Sequence, residues 1–405
     1  MMYISLAWRN IWRNKKRTLI VAASVFFSVF LAVFMRSAQL GSYSYMIHSS
    51  AKLFTGYLQV QGQGYWDNRS LNKSIIIEPQ TLEQIRNIEH ITSVTPRFEA
   101  FSLISYGLTT KVTSVIGIEP QSEERMTDLK SRLIKGSYLQ PRSKGVLLGS
   151  GLADMLNVST GDSIVLYGQG YHGQIAAAIL PISGIVKLPF EQMNNGMIFM
   201  TLSNAQDVFS AEKRITSLPI MIDNVHQISK IKKEVRKIVG GQYDILSWDE
   251  MMPDLKQNIQ TDNAGGLIML AILYIVIGFG ILGTVMMMIA ERSKEFGILV
   301  SVGMRKSKLV FITVMESIII SLLGAVAGMI ASFPIIIYMY HNPIPVSGNE
   351  AKIYDSLGIE PIICFSKELG IFFSQAEVVL FIAVLTAIYS IVHIYRLNPV
   401  EAVRG

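Results

Sequence analysis

Four long apolar runs interrupt an otherwise mixed chain, and their lengths set the first expectation. A helix rises about 1.5 Å per residue and a bilayer's hydrocarbon core is about 30 Å thick, so a span needs about 20 mostly apolar residues. Thr18 to Met35 supplies the first run, bounded by Arg17 and Arg36. The second lies between Asp262 and Glu291. The third extends from Leu309 to Tyr340, interrupted by Glu316 alone, and the fourth from Val378 to Tyr395, closed by Arg396. Between the first two runs the pattern changes to alternation of apolar and polar residues rich in Val, Ile and Thr. This predicts strands at Gly56 to Gly62, Ile91 to Ser105, Lys111 to Ile118, Gly145 to Leu148, Asp162 to Tyr167, Ile175 to Val186, Gly196 to Thr201 and Leu218 to Ile222. Helical spacing appears at Thr81 to Ile88, Ser150 to Leu156, Ser203 to Phe209 and Val225 to Val239.

The predicted fold class is therefore an α+β membrane protein: four transmembrane helices with a large α+β domain between the first and second. The expected segments are an interfacial helix over 1–17, spans over 18–40, 309–340 and 377–396, and an outer domain over 41–248. A stalk and second span occupy 249–290, a cytoplasmic segment 291–308, a short outer segment 341–376 and a tail 397–405. The turn chemistry agrees with these limits. Pro79 with Thr81 and Gln84 suits a helix start, and Gly161 in Asn157-Val-Ser-Thr-Gly161-Asp162 suits a reversal that needs positive φ. Met252, Leu255 and Ile259 share a face, so the stretch opened by Trp248-Asp249-Glu250 is expected to run on as a helical stalk. Ile4, Trp8, Ile11 and Trp12, opposite Arg9, Asn10, Arg13 and Asn14, suit a helix in the headgroup layer. A cleaved secretory signal is the competing reading of the first run, which is long for that purpose.

Charge fixes the expected orientation. The chain of 405 residues carries 36 Lys and Arg against 30 Asp and Glu, a net +6 that in a soluble protein would raise the question of nucleic acid. Only 16% of residues are charged, half are hydrophobic and mean hydropathy is +0.38, which excludes an ordinary soluble domain. Arg9, Arg13, Lys15, Lys16 and Arg17 precede the first run. Arg292, Lys294, Arg305, Lys306 and Lys308 lie between the second and third, and Arg396 and Arg404 follow the fourth. Against these twelve stand Glu291, Glu295 and Glu401, so the positive-inside rule puts both termini and the 291–308 loop in the cytoplasm. No role for nucleic acid is expected.

Several chemistries have no support. There is no GxxxxGK[ST] to cradle nucleotide phosphates and no GxSxG elbow. His48, His90, His172, His226, His341 and His393 are too scattered for a zinc motif. The single cysteine, Cys364, can form neither an intrachain disulfide nor a thiolate metal cluster. The neighbouring acids Glu123 and Glu124, and Asp249 and Glu250, read as solvated surface charge. No catalytic, cofactor or metal residue is predicted.

The segment Glu291-Arg-Ser-Lys-Glu-Phe-Gly-Ile-Leu-Val-Ser-Val-Gly-Met-Arg-Lys-Ser-Lys308 carries an apolar stripe, Phe296, Leu299, Val300 and Val302, between charged ends. It suits a short helix onto which a peripheral partner docks, or one that rests on lipid. This segment resembles the ER-x-x-E-[FI]-G-[IV]-L-x-x-[VI]-G stretch of the FtsX-like, MacB-type permeases of ABC transporters. Ala7-Trp8-Arg9-Asn10 with Asn14-Lys15-Lys16-Arg17-Thr18-Leu19, and the closing Arg396-Leu397-Asn398-Pro399-Val400-Glu401-Ala402-Val403-Arg404, resemble that superfamily's two ends. Ile116-Gly117-Ile118-Glu119-Pro120, Gly145 to Ala153, Val158 to Asp162 and Trp248 to Pro253 are similar to the outer domain of its lipoprotein-releasing permeases, the LolC and LolE type.

The resemblance implies a non-catalytic subunit that works beside a second permease, a copy or a paralogue. A dimer of separate ATPase subunits would bind ATP and Mg, and hydrolysis would drive motion of a periplasmic domain at the bacterial inner membrane. In the lipoprotein-releasing systems that motion extracts lipoproteins and passes them to a periplasmic carrier. By matching positions Glu291, Arg292, Glu295, Gly297 and Gly303, with Arg305 beyond them, belong to the segment that couples to the ATPase. The hairpin around Gly168 to Gly173 is short beside the one those permeases use to grip the carrier. Export in the manner of MacB, or activation of a cell-wall hydrolase in the manner of FtsX, are the alternative tasks. Glu316 would be costly against lipid, so it is expected to face the bundle or a water pocket. Gly324 and Gly328 form a GxxxG expected to let helices of the same chain pack closely.

Overall fold

A computed structural model describes residues 15–348, 351 and 361–398. The expected interfacial helix, apart from its last residues, and most of the tail lie outside the described residues. The chain forms two compact units, one of residues 1–44, 258–345 and 362–405 and the other of residues 45–257 and 346–361.

Helix α1, Lys15–Ser50, continues as a single π-helical turn, Ala51–Thr55, well past the end of the apolar run at Met35. The α+β unit then builds a four-stranded antiparallel sheet from strands remote in sequence. Strand β1 (Leu58–Gly62), helix α2 (Pro79–Arg86) and β2 (Ile91–Val94) come first, and β10 (Ser217–Ile222), helix α7 (Ile228–Val239) and β11 (Tyr243–Ser247) come last. The order β11-β1-β10-β2 makes this a βαββαβ arrangement of order 4-1-3-2. Leu58, Val60, Leu218, Ile220 and Ile245 from the strands meet Ile85 of α2 and Ile231, Val235 and Val239 of α7, whose spacing of four puts them on one stripe.

Everything between β2 and β10 is an insertion with its own core. Strands β3 (Arg97–Tyr106), β4 (Thr109–Ile118), β6 (Val146–Gly149), β7 (Ser163–Gln169), β8 (Ile175–Val186) and β9 (Met197–Thr201) pair in the cycle β3-β4-β9-β6-β8-β7-β3, a ring of six strands. Strand β5 (Leu133–Gly136) adds to β8. Helices α3 (Pro120–Thr127), α4 (Ser150–Leu156), α5 (Glu191–Gly196) and α6 (Leu202–Val208) connect the strands. Phe98, Ile104, Val115, Leu148, Ile164, Leu166 and Ile198 fill the ring's interior. The ring joins the sheet where Arg97 pairs with Ser217. The predicted single strand over 91–105 is two strands, because Pro96 has no N–H to donate and the chain changes partner there. The turn after α4 uses two residues of positive φ, Asn157 at the helix end and Gly161 beyond it.

Short helix α8 (Trp248–Met251) is opened by a capping box in which Ser247 and Glu250 satisfy each other's backbone N–H groups. Met252, at φ −124° and ψ 64°, breaks the helix before α9 (Pro253–Glu291), so the expected stalk is continuous only from Pro253.

In the helical unit α9 is followed by α10 (Ser293–Ser301), α11 (Lys306–His341) and α12 (Leu369–Arg396). A two-residue pairing, β12 (Ile344–Pro345) with β13 (Ile362–Ile363), precedes α12, which begins eight residues before the expected span. Val25, Val29 and Val33 of α1 and Ile277, Ile281, Val285 and Ile289 of α9 repeat every fourth residue and form the bundle's core with Leu309, Ala325 and Val379. The opposite face of α9 is equally apolar yet exposed, with Ile268, Ile272 and Phe279 open, Phe279 to 70%. Helices apolar all round at this length are what a bilayer requires, and α1, α9, α11 and α12 are all long and apolar enough to cross one. Beyond the apolar run, Arg36 Nη1 donates to Gln39 Oε1 at 2.7 Å and to Asn263 Oδ1 at 2.6 Å, and Tyr43 donates to Asp262 Oδ2 at 2.5 Å, tying α1 to α9.

Candidate functional site

The residues singled out between 291 and 308 occupy different structural positions. Glu291 ends α9. Arg292, at φ −100° and ψ 8°, is the break that lets the chain turn into α10. Glu295 lies in the first turn of α10, where a carboxylate complements the helix dipole. Phe296 and Gly297 are buried, and Phe296 joins the bundle's core. Gly303, at φ +103°, sits beyond the last helical turn: its N–H reaches Val300 O at 3.1 Å and the Met304 N–H reaches Leu299 O at 2.9 Å. That pair of bonds is a Schellman closure, which needs a left-handed residue at this position and so favours glycine. Arg305 is extended and precedes α11, serving as its N-terminal cap position.

The apolar stripe read from sequence divides between two faces. Phe296, Leu299 and Val300 turn toward the bundle, while Val302 is 83% exposed and joins Ile298, 53% exposed, on the outer face. Val302 is still in the helical region at φ −79° and ψ −3°, its N–H bonded to Ile298 O at 3.0 Å, so the helical period itself turns it away from Phe296, Leu299 and Val300. Ile298, which sequence reasoning did not select, is four residues before Val302. The pair is flanked by exposed Lys294, Glu295 and Arg305. An exposed apolar pair within a charged rim is the usual make-up of a protein contact.

Arg292 is not on that face. Its side chain turns inward, where Nη1 meets Glu316 Oε2 at 2.8 Å and Nε meets Glu295 Oε2 at 3.2 Å. The guanidinium also lies over the Phe296 ring at 5.2 Å. Glu316 is fully buried, so the acid inside the third apolar run and the first base of the 291–308 segment neutralise one another across 24 residues. The loop is held at its other end by Lys306, whose Nζ donates to Tyr395 O at 2.9 Å and Leu397 O at 2.8 Å, the carbonyls that close α12. Gly324 and Gly328 face α1. A Cβ at Gly324 would lie 2.7 Å from Ala22 O and 2.8 Å from Val25 Cβ, and one at Gly328 2.7 Å from Phe26 O.

In the α+β unit one expectation is overturned. Glu123 is not a solvated surface charge: it is 1% exposed and paired with Arg97, itself 3% exposed, with Nη2 2.6 Å from Oε1 and Nε 2.9 Å from Oε2. Nothing in the local sequence marks this, since the partners are 26 residues apart. Asp249 and Glu250 are partly exposed and belong to the capping of α8, bonded to Lys256 and Lys232. Among the described residues no cluster of His, Cys, Asp and Glu could hold a metal ion.

Residues 18–238 match the family model of the MacB-like periplasmic core domain, and residues 267–399 that of the FtsX-like permease C-terminal. The lipoprotein-releasing system transmembrane protein LolC of Xylella fastidiosa is 20% identical over 301 residues, which cover 71% of this chain and 72% of that protein. The macrolide export ATP-binding/permease protein MacB of Acinetobacter baylyi is 20% identical over 375 residues, 89% of this chain and 55% of that protein, so the chain spans about half of MacB's length. Among solved structures, the periplasmic region of MacB from Actinobacillus actinomycetemcomitans aligns with 50% of this chain and 92% of its own, with 16% identity and a TM-score of 0.35. With more than half its residues inside the first family model and its last helices inside the second, this membrane protein belongs to the FtsX/MacB family of ABC transporter permeases.

Proposed function

We propose that the chain is a non-catalytic subunit that converts ATP hydrolysis on a separate ATPase into movement of its α+β unit, and that the cargo moved is lipoprotein in the bacterial inner membrane. The observation that carries the reading is the build of α10. Its outer face offers Ile298 and Val302 within a charged rim, while Arg292 and Phe296 root it in the bundle beside α11. A push on such a helix passes to α11 through a buried ion pair rather than dissipating in a loose loop. Glu291, Glu295 and Arg305 would make the rim contacts, Gly297 and Gly303 would shape the element, and Arg292 would anchor it. ATP and Mg would be held by the ATPase dimer, and a second permease would complete the assembly. The excess of Lys and Arg near the span ends supports cytoplasmic termini and an outer location of the α+β unit between the first two spans. A second reading, export in the manner of MacB, is favoured by the identity to that protein over 89% of this chain.

The test is purification of the chain with its ATPase and comparison of two variants. The Gly303 surroundings are open, with nothing within 4 Å of an added Cβ, so Ala and Trp should strain the fold alike. Only Gly303→Trp should block the docked face and uncouple hydrolysis from cargo release. Full release by Gly303→Trp would refute the coupling assignment. Recovery of a lipoprotein rather than a channel adaptor with the outer unit would separate the two cargo readings. An impermeant label reacting at 294 from outside the cell would overturn the orientation.

A further inference from the structure

Arg97 stands where three elements of the α+β unit meet. It is the first residue of β3, the strand by which the ring leaves the sheet, and its own backbone pairs with Ser217 on the returning strand. Two of its nitrogens hold Glu123 of α3 in a bidentate pair. The third, Nη1, donates to Phe54 O at 2.7 Å and reaches Leu53 O at 3.5 Å. These carbonyls belong to the π-helical turn that ends the helix begun at Lys15, and the last carbonyls of a helix have no partner within it. The next residue after the turn, Gly56, has φ +68°, a point at which the chain could swivel. Phe54 adds a stack on Phe190 of the ring, with centroids 6.0 Å apart.

A buried ion pair is poor testimony to stability, because an apolar pair of equal volume serves packing as well or better. What an apolar pair cannot do is aim the third nitrogen of a rigid planar group at two helix-end carbonyls while its fork is held on a carboxylate. We infer that Arg97 is the joint that locks the end of the first helix to the ring, so that displacement of the helix is passed on to the ring instead of being absorbed at Gly56. The inference rests on the proposed function only in supposing that this helix end moves. The joint itself can be tested without nucleotide, ATPase or cargo.

In the full chain with Cys364→Ser, reconstituted in nanodiscs of phosphatidylethanolamine and phosphatidylglycerol, spin labels at Lys52→Cys and Gln174→Cys report helix end against ring. Labels at Thr110→Cys and Gln174→Cys report the ring alone. Wild-type Arg97 should give one narrow distance distribution for each pair. Arg97→Met with Glu123→Met, which replaces the ions at similar volume, should lose the narrow distribution for the first pair and keep it for the second. Arg97→Lys, which keeps a cation for Glu123 but no separate nitrogen for the carbonyls, should fall between. Unchanged distributions in the Met variant would overturn the assignment. So would broadening of both pairs, which would make Arg97 a support of the ring itself. Absence of an ATPase partner would sink the proposed function and leave these distances untouched.

Discussion

Replacing Glu316 with Leu removes the fully buried carboxylate that Arg292 Nη1 meets at 2.8 Å. Arg292 is 8% exposed and would keep Glu295, a partner at 3.2 Å that is 46% exposed. Breaking a buried pair from one side costs about 3–5 kcal/mol. Because the freed guanidinium can lean toward Glu295 and the interface, Glu316→Leu should fall near the lower bound, about 3 kcal/mol. Arg292→Met takes the guanidinium away from a carboxylate at a fully buried site and should fall near the upper bound, about 5 kcal/mol. The double variant removes both charges of the pair together, and such replacements are neutral or stabilising by about 1–4 kcal/mol. The pair should therefore show strong non-additivity, read by equilibrium unfolding of the full chain in mixed micelles with circular dichroism. A double variant less stable than Arg292→Met, or a Glu316→Leu variant within about 0.5 kcal/mol of wild type, would refute the reasoning.

Gly324→Ala should lower stability in the same assay by about 1–3 kcal/mol, since the new methyl meets the Ala22 carbonyl at 2.7 Å and backbone must move; an unchanged transition would show that α1 and α11 part freely. Gly303→Ala should cost about 1–2 kcal/mol through positive φ alone, and Gly303→Leu the same, because the space around it is open; a cost that grows with side-chain size would contradict this. Burial favours the neutral form of Glu250, but the Lys232 ammonium at 2.5 Å and the Ser247 N–H and hydroxyl outweigh it and hold the carboxyl below its ordinary 4.5. Protection of amides 248–252 against hydrogen exchange should therefore be full above that value and decline as pH falls through the depressed one; Glu250→Gln should remove the decline.

What could be read from the chain was what repeats locally. The four apolar runs, the strands from 109 to 118 and 175 to 186 and the helix from 150 to 156 follow from periods of two and 3.6 that neighbours alone decide. Helix α3 was not legible, because Pro120-Gln-Ser-Glu-Glu-Arg-Met-Thr127 has no apolar stripe; Pro at its start and Asp128 in the left-handed region at its end define it. Strand β5 is short and mixed, and exists because β8 extends past β7 and offers an edge. In the 291–308 segment the helix and its glycine were legible, but not which way Arg292 turns. That depends on Glu316, brought near by packing of α10 against α11 rather than by sequence spacing. Arg97 and Glu123 were hidden for the same reason, since charge in sequence is taken for surface until a distant partner is seen.

Gly324 and Gly328 carry a consequence for stoichiometry. A GxxxG surface is a common meeting place for identical helices from two chains, but here the groove is already filled by the Ala22 to Val29 stretch of α1. Two copies cannot therefore associate through it without first dismantling each protomer. If the proposed second permease is a copy of this chain, its footprint is better sought along the open ridge of Ile268, Ile272 and Phe279, where cross-linking cysteines would report it without disturbing the fold.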